Sequence, residues 1–395
     1  MSQPFEGVRI VEVGDSIAVA GATKVLGDYG AQVTKVETRG GGELRRAGPF
    51  RGDVPDVNGG AYHLALDTGK RSIVLDHDTP SGLEVLTRLG ERSDVVVLHQ
   101  PAAAGLRLAE AFERLGDGGP SVVTMSVHGL EGPFAERREN DLSLFAWSNR
   151  MLRHSFDDQE PMRYSAHVAT LQWASTATAV TAATIWGRRH DGVRRRVDVA
   201  GVEALAGSVD NWFVPWSFTG ANTPRPAAPS RAAFPPPTLR ATDGYLAISA
   251  ANEPFFSRFC AGIGHPELAQ DPRFTDAAQK ADHYDEFMQH VDAYLATHTR
   301  DEAFRELQSF GVMIAPILDV GEAFENEQAR VRGSYVQVEQ PGFGTHTIAG
   351  APFRLEDGWE AGPAPDLGQH THEVLSEIGY TVDEEIALFR AGVTG

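Results

Sequence analysis

VRIVEVGDSIAVAGATKVLGDYGAQVTKVE, residues Val8 to Glu37, decides the fold class. Val8 to Val13 is an apolar run broken only by Arg9 and Glu12, the pattern of a strand covered on both faces. Gly14-Asp15-Ser16 turns the chain, Ile17 to Gly30 reads as a helix, and Ala31 to Glu37 reads as the next strand. Strand, helix and strand within about 30 residues make a βαβ unit, whose two strands must pair in parallel. The glycines here, Gly14, Gly21 and Gly27, lack the Gly-x-Gly-x-x-Gly spacing of a dinucleotide turn, so nicotinamide and flavin binding are not expected.

The alternation continues beyond this unit. Asp67 to Asp76 is a turn with Lys70 and Arg71 feeding a strand, and Thr79-Pro80 opens a helix in which Ser81 and Glu84 stand at capping-box spacing. Asp94 to His99 and Ser121 to His128 read as strands on either side of a helix around Ala102 to Leu115, while Arg39 to Asn58 reads as a loop rich in Gly and Arg. The expectation is an α/β fold with a large, Rossmann-like, doubly wound parallel sheet, and a ligand beyond the carboxyl ends of its strands.

Ser165 to Ala200 supplies the central element. From Pro161 to Gly187 the only charged residue is Arg163, and the interior is Ala and Thr punctuated by Leu171, Trp173, Val180, Ile185 and Trp186. The stretch predicts a buried helix of about five to six turns, with small side chains that let neighbouring backbone approach closely. Arg188, Arg189 and Gly192 mark its end, and Arg196 to Val199 alternates like a strand. A membrane span is the competing reading, weakened by Thr170, Ser175, Thr176, Thr178, Thr181 and Thr184.

Further along, Val202 to Phe213 reads as helical, with Trp212 and Trp216 beside its end. Thr223 to Pro237 holds six prolines and reads as a linker or an active-site loop. Asp243-Gly244 turns into a strand at Tyr245 to Ser249, helices run from about Pro254 to Phe310, and Gly311 to Val320 is strand-like. Glu322 to Arg332 reads as a helix, Tyr335 to Glu339 and Thr345 to Leu355 as strands, and Gln369 to Arg390 as a closing helical segment.

Over 395 residues the formal charge is −19, which argues against a nucleic-acid partner or an anionic membrane surface. The single cysteine, Cys260, reads as packing or, as a minor alternative, a nucleophile, and leaves no intrachain disulfide. The opening MSQPFEGVRI has no charged segment followed by an apolar run, so the expectation is a cytoplasmic protein without signal peptide or anchor. The histidines are scattered, including His370 and His372, and no metal site is expected. What remains is a run of cations near strand ends: Arg39, Arg45, Arg46, Lys70, Arg71, Arg107, Arg137 and Arg138. Two readings of that run stay open, a polyanionic ligand and ordinary surface arginines.

VRIVEVGDSIAVAGATKVLGDYGAQVTKVE, LDTGKRSIVLDHDTPSG, TMSVHGLEGPFAERREND, TDGYLAISAANE, GVMIAPILDVGEAFENEQARVRG and APDLGQHTHEVLSEIGY lie in one order over nearly the whole chain. In these blocks the chain resembles the family III CoA-transferases, which include formyl-CoA and carnitine CoA-transferases and, as a side branch, α-methylacyl-CoA racemases. The resemblance implies a large α/β domain from both ends of the chain (1–222 and 331–395), a smaller α+β domain (223–330), and two subunits threaded through each other as an interlocked dimer. It implies coenzyme A as ligand and substrate, with acyl-CoA or small carboxylic acids as partners. Carried over by position, the CoA contacts fall on Asp15, Ser16 and Ala18, on Arg39, Lys70, His99, Gln100, Arg107 and Arg137.

The same resemblance places the family's nucleophilic aspartate at Thr170, within Val168-Ala169-Thr170, and the racemases' histidine at Asn140. A carboxylate is needed there because its acyl derivative is an anhydride, reactive enough to return the group to a thiolate, whereas a threonine ester is a far poorer donor. Asp141 and His167 lie close by in sequence: Asp141 either orients the central helix or serves as a displaced acid or base, and His167 is either a core residue or a pocket residue one helical turn before Thr170. The resemblance therefore implies a CoA-transferase. Its alternatives are a catalytically silent CoA-binding subunit, paired in a heterodimer rather than a homodimer with an Asp-bearing homologue, or an enzyme related to the racemases.

Overall fold

Seen by its strands, the chain first builds one parallel sheet. The computed structural model describes residues 3–207, 213–225, 234–276, 279–355, 359 and 361–395. Elements follow in the order β1 (Arg9–Val13), α1 (Ile17–Asp28), β2 (Gln32–Glu37), α2 (Glu43–Arg46), α3 (Ala61–Leu66), β3 (Arg71–Val74), α4 (Pro80–Glu91), β4 (Val95–His99), α5 (Ala102–Glu113), β5 (Ser121–Ser126), α6 (Asp141–Trp147), α7 (Val168–Asp191), β6 (Arg196–Ala200), α8 (Gly201–Ala206) and α9 (Phe213–Thr219). The six strands pair in parallel in the order β3-β2-β1-β4-β5-β6, so the sequence direction reverses between β1 and β4.

A second set follows: β7 (Thr238–Ala241), β8 (Gly244–Ser249), α10 (Phe255–Gly262), α11 (Pro272–Thr275), α12 (Tyr284–Leu295), α13 (Arg300–Ser309), β9 (Met313–Pro316), α14 (Val320–Glu325) and α15 (Glu327–Arg332). The chain then returns with β10 (Tyr335–Gln340), β11 (Gly344–Ala349), α16 (Thr371–Glu377) and α17 (Val382–Arg390). Contacts divide it into two compact units, one of residues 1–154, 161–223 and 331–395 and one of 155–160 and 224–330.

In the first unit the period of two along each strand sends alternate side chains to two different cores. Val8, Ile10, Val95, Val97, Val123 and Met125 pack under α1 and α7, while Val11, Val13, Val96, Leu98 and Val122 pack under α4, α5, α16 and α17. Each such side chain, fully buried, contributes about 1.5–3 kcal/mol. The C-terminal stretch closes the β3 edge: Gly368 N–H donates to Ser72 Oγ at 3.0 Å, Val74 N–H to Thr371 Oγ1 at 3.1 Å, and Leu75 bridges Thr394. In the second unit an antiparallel sheet, β7-β8-β9, and helices α10, α12 and α13 enclose Phe234, Phe256, Phe259, Phe274 and Phe287. Cys260 lies in that core, where burial pushes its thiol up to about 12 and removes it as a nucleophile.

α7 holds the first unit together through its small residues. Gly21 of α1 leaves room for Ala174, 3.4 Å from where a glycine Cβ would stand, and Thr178 Oγ1 donates to Ala22 O at 2.9 Å across the two helices. The expected burial of this helix holds along one stripe. Ala169, Trp173, Ala174, Ala177, Thr181 and Ile185 are buried, but Leu171 and Trp186 on the opposite stripe are 42% and 69% exposed. No helix among the described residues is long and apolar enough to cross a membrane.

Other differences are local. The Arg39–Asn58 loop contains α2, and the cap of α4 is Thr79, accepting from Gly82 N–H at 3.0 Å, rather than Ser81. α8 stops at Ala206, with residues 208–212, and hence Trp212, outside the described residues, as is 226–233 of the proline-rich stretch. The helix expected over Glu322 to Arg332 and the closing segment are each two helices, and β7 had not been anticipated.

Candidate active site

The strand order places a crevice beyond the carboxyl ends of the paired strands β1 and β4, where the sequence order of the sheet reverses, and the chain fits it closely. Gly14, at φ 147°, lies so near His99 that a Cβ would stand 2.6 Å from its carbonyl oxygen, so no other residue could turn here. Ser16 caps α1, its hydroxyl accepting from Val19 N–H at 3.3 Å. Asp15 turns across to α2, where its carboxylate accepts from the N–H groups of Glu43 and Leu44. Gly42 is needed for that approach, because a Cβ there would overlap the Asp15 carboxylate.

These residues form part of a cleft of about 550 Å³. Asp15, Ser16, Ala18 and His99 line one side, Glu43, Ala47 and Tyr62 come from α2 and α3 with the turn between them, and Glu139, Asn140, Asp141, Arg163, His167, Thr170 and Trp173 complete it. A second cavity of about 330 Å³ adjoins it through Asp15 and His99, and is also lined by Gln100, Asp76, His77 and Asp78.

The first turn of α7 is built by α6. His167 sits at the cap position of α7 in the left-handed region, φ 68°, and its side chain makes no capping bond. Asp141 does that work from 26 residues upstream: Oδ2 accepts from His167 N–H at 3.1 Å, and Oδ1 accepts from Thr170 N–H at 3.1 Å and from the Thr170 hydroxyl at 2.8 Å. Two amides that a helix start leaves without intrahelical partners are thereby satisfied by one carboxylate, which also complements the positive helix end. Asn140 is itself a cap, of α6, its Oδ1 accepting from Ser143 N–H at 3.1 Å. His167 is thus outside the helix rather than one turn before Thr170 within it, with its ring edge-on to Tyr62 at 5.0 Å.

His99 stands edge-on to Trp173 at 5.6 Å, and burial pushes its imidazole down to about 4, which keeps it neutral at pH 7. Glu139 is tied to His128 Nε2 at 2.9 Å and to Trp147 Nε1 at 3.2 Å. Hydrogen bonds from Ser143 and then from His128 hold its carboxyl below the usual range.

The cations singled out in the sequence are placed elsewhere. Lys70, only 4% exposed, lies in a sealed network: its Nζ donates to Glu12 at 2.8 Å and Asp67 at 2.9 Å. Lys35 donates to Asp67 at 2.6 Å, Arg45 forks onto Glu37 at 2.7 and 2.8 Å, and His63 Nδ1 meets Asp67 at 2.8 Å. Arg39 donates to Thr394 O at 2.6 Å, Arg107 pairs with Asp78, Arg71 forks onto Glu377, and the Arg137 guanidinium stacks 3.7 Å from the Phe134 ring centroid. None of Arg39, Lys70, Arg107 or Arg137 lines either cavity, whereas Asp15, Ser16, Ala18, His99 and Gln100 do. The Lys70 charge already faces two buried carboxylates. Sequence reasoning passed over Arg163 as a site residue, although its isolation as the one charge between Pro161 and Gly187 was a visible signal.

Among the described residues no cluster of three or more His, Cys, Asp or Glu side chains could hold a metal ion. The family model described as CoA-transferase family III matches residues 5–371. Among curated proteins, the chain is 27% identical to a formyl-CoA:oxalate CoA-transferase of Streptomyces avermitilis over 99% of both chains. It is 26% identical to a succinyl-CoA:mesaconate CoA-transferase of Haloarcula hispanica, covering 95% of this chain and 96% of that one. Among solved structures, a CAIB/BAIF family protein from Brucella suis superposes with a TM-score of 0.82 at 26% identity, covering 96% of this chain and 100% of that one. With the match running nearly end to end, and the sheet, crevice and central helix in place, the chain belongs to CoA-transferase family III.

Proposed function

We propose that this chain binds a CoA thioester across the two adjoining cavities and moves the CoA from one carboxylic acid to another. The observation that carries the reading is the cleft itself, at the carboxyl ends of β1 and β4 with the start of α7 and Thr170 in its wall. Asp15, Ser16, Ala18, His99 and Gln100 are the CoA-facing residues in this reading, with Arg39, Arg107 and Arg137 reaching the ligand only by leaving their present partners. An exposed stripe on α7, including Leu171 and Trp186, supports a second, homologous chain as partner, and one buried free cysteine fits a reducing, cytoplasmic setting.

The residue at the head of α7 shapes the chemistry. Asp141 is held by three donors and positions the helix; Thr170 gives its proton to that bond. An ester on Thr170 would not return its acyl group to a thiolate, so in this reading the acceptor acid attacks directly. Its carboxylate oxygen bonds to the thioester carbon, the C–S bond breaks, and CoA leaves as thiolate. The thiolate then attacks the acceptor's acyl carbon in the resulting mixed anhydride, releasing the donor acid as carboxylate, with no net proton or electron change. Both substrates must be bound together.

The test is a CoA-transfer assay on the purified chain with the product thioester identified by mass spectrometry. Double-reciprocal plots that intersect, with no adduct trapped by hydroxylamine or borohydride, are expected. Parallel lines with an acyl group trapped on Glu43, Asp141 or another side chain would replace direct attack by a covalent route, and transfer that appears only beside a homologous second chain would make this one a supporting subunit.

A further inference from the structure

We infer that the amino ends of β1, β2 and β3 form a further anion site, which takes the phosphate group of a small phosphomonoester at the end of the sheet opposite the CoA cleft. The inference goes beyond CoA transfer and stands on different residues. A cavity of about 280 Å³ lies there, lined by Arg9, Arg71 and Arg92 together with Gln32, Thr34 and Glu377. Arg9, Gln32 and Arg71 are the first residues of their strands, and the register sets Arg9 beside Gln32 and Thr34 beside Arg71. The period of two puts all four on the sheet face that carries Val11, Val36 and Ile73, which α4 and α16 cover.

Three guanidinium groups meet here, against one in the CoA cleft and none in the cavity beside it. One of the three is matched: Arg71 forks onto Glu377 at 2.9 and 3.0 Å and also meets Glu373. Glu377 is the only carboxylate in the wall, and that pair uses it. The side chains of Arg9 and Arg92 have no ion pair, hydrogen bond or ring contact among the described residues. Asp94 gives its Oδ2 to the Arg9 amide at 2.8 Å and pairs with neither guanidinium. The ends of α4 and α16 at the cavity are C-terminal and carry about half a negative charge each, which two full guanidinium charges outweigh. On a chain of formal charge −19, this is a local reversal of sign.

Unused neutral donors set the cavity apart from ordinary surface arginines. Thr34 is only 5% exposed, yet its hydroxyl makes no hydrogen bond among the described residues, and the Gln32 amide makes none either. Arg71 Nε is buried and has no acceptor. Buried donors without acceptors are rare, and an oxyanion set among these groups would supply them. A phosphate dianion brings three terminal oxygens and nearly two charges to two open guanidinium groups, where a single carboxylate brings two oxygens and one charge. The planar fork of arginine suits phosphate oxygens, which it can hold through two parallel bonds. The cavity is larger than a bare phosphate needs, one water taking about 30 Å³ of liquid. Ile10, Leu89 and Ile378 add apolar wall to it, which suits a short carbon body carrying the phosphate.

The experiment titrates glycerol 3-phosphate, inorganic phosphate and glycerol onto the full chain by isothermal calorimetry. It uses the wild type, a variant carrying both Arg9→Gln and Arg92→Gln, Thr34→Val and, as a control in the CoA region, Arg107→Ala. Glycerol 3-phosphate should bind the wild type more tightly than inorganic phosphate does, and glycerol should not bind. The double variant should weaken the ester at least about tenfold and Thr34→Val about threefold to tenfold, the losses of charge-assisted forks and of one hydroxyl bond. Arg9 and Arg92 are exposed, so the double variant should keep the wild-type unfolding temperature without ligand and the wild-type affinity for CoA. Undiminished ester binding in the double variant would overturn the inference. A loss in Arg107→Ala that the double variant does not share would also overturn it, by seating the phosphate in the cleft. A fall in CoA affinity in the double variant would do the same, by making these arginines part of the CoA site. Inorganic phosphate binding as tightly as the ester would sustain the anion site and strike the carbon body, and no binding of either phosphate to the wild type would defeat both.

Discussion

Two sets of charges lie within the same unit and have opposite fates. Under α1, Glu12, Glu37 and Asp67 face Lys35, Arg45 and Lys70, three carboxylates against three cations, all nearly excluded from water. In the cleft beside α7, Arg163 and Glu43 are exposed and their side chains are unpaired among the described residues, and Thr170 stands where the resemblance implies a third charge. A cation's presence near a strand end says little about its role; what decides it is whether the fold has already supplied its counter-charge. The sealed set is matched charge for charge and has nothing left for a ligand.

Breaking the sealed set should give the largest effect. Burial works against charge on Lys35, but Asp67, Glu37 and Glu12 overcome it and raise the amine above the usual lysine range. Burial likewise works to raise Asp67, and Lys35 and Lys70 more than reverse it, holding the carboxyl well below its usual value. Asp67→Asn leaves two buried ammonium groups short of a partner and should destabilise the chain by about 3–5 kcal/mol in chemical denaturation. Lys70→Ala should likewise appear in stability before it appears in CoA affinity. The pH sense follows from the shifts: the Asp67 contribution is present above about pH 4 and lost as pH falls through its lowered value, and that of Lys35 is present below about pH 10 and lost above. Between those limits Asp67 and Lys35 keep their charges and should add no slope to the stability, so Asp67→Asn should be strongly destabilised across the whole of that range; near wild-type stability there would contradict the assignment.

An intermediate effect belongs to the cleft. Asp141→Ala removes the cap of α7 and should cost about 1–2 kcal/mol in thermal or chemical unfolding, the range for losing a helix cap. Because the same carboxylate fixes Thr170, kcat should fall further than stability alone explains, while the hydroxylamine trap should remain empty as in the wild type. Thr170→Val, which removes one donor and leaves the two backbone N–H bonds to Asp141, should cost about 1 kcal/mol and leave measurable transfer. Complete loss of transfer in Thr170→Val with unchanged stability would make its hydroxyl a reacting group and defeat direct attack by the acceptor.

The same contrast explains what could be read from the sequence. The βαβ unit, the α/β alternation and the close-packed central helix follow from local periodicity and residue size, and the structure has them. Asp141 as an anchor of α7 was visible as one of two readings. Hidden were the partners that fix each cation: Lys70 finds Glu12 at 58 positions' distance, and Arg45 donates to Pro365 O across 320. No local pattern encodes such pairings, so buried and ligand-binding cations look alike in a sequence. The exposed stripe of α7 was hidden for a similar reason, since Ala lies on both the buried and the exposed faces and gives the helical spacing little contrast. His167 lines the cleft with Thr170, one of its two readings, but its left-handed cap geometry has no signature in a residue that is neither Gly nor Asn.

Arg107 lies between the two sets and should show the smallest effect. It pairs with Asp78, which lines the smaller cavity, and both side chains are exposed. An exposed pair of this kind contributes about 0.2–1 kcal/mol, so Arg107→Ala should hardly alter stability. Its effect on CoA should be small as well, because the guanidinium can meet a phosphate only by giving up the Asp78 carboxylate, and the gain and loss nearly offset. CoA affinity in Arg107→Ala should therefore fall by less than about threefold, within what one exposed charge contributes. Asp78→Asn frees the guanidinium without removing it, and should tighten CoA binding, with the gain fading as salt is raised. If Arg107→Ala instead cost tenfold or more in affinity, Arg107 would belong with the open charges of the cleft, and its contact with Asp78 would be a resting state that the ligand displaces.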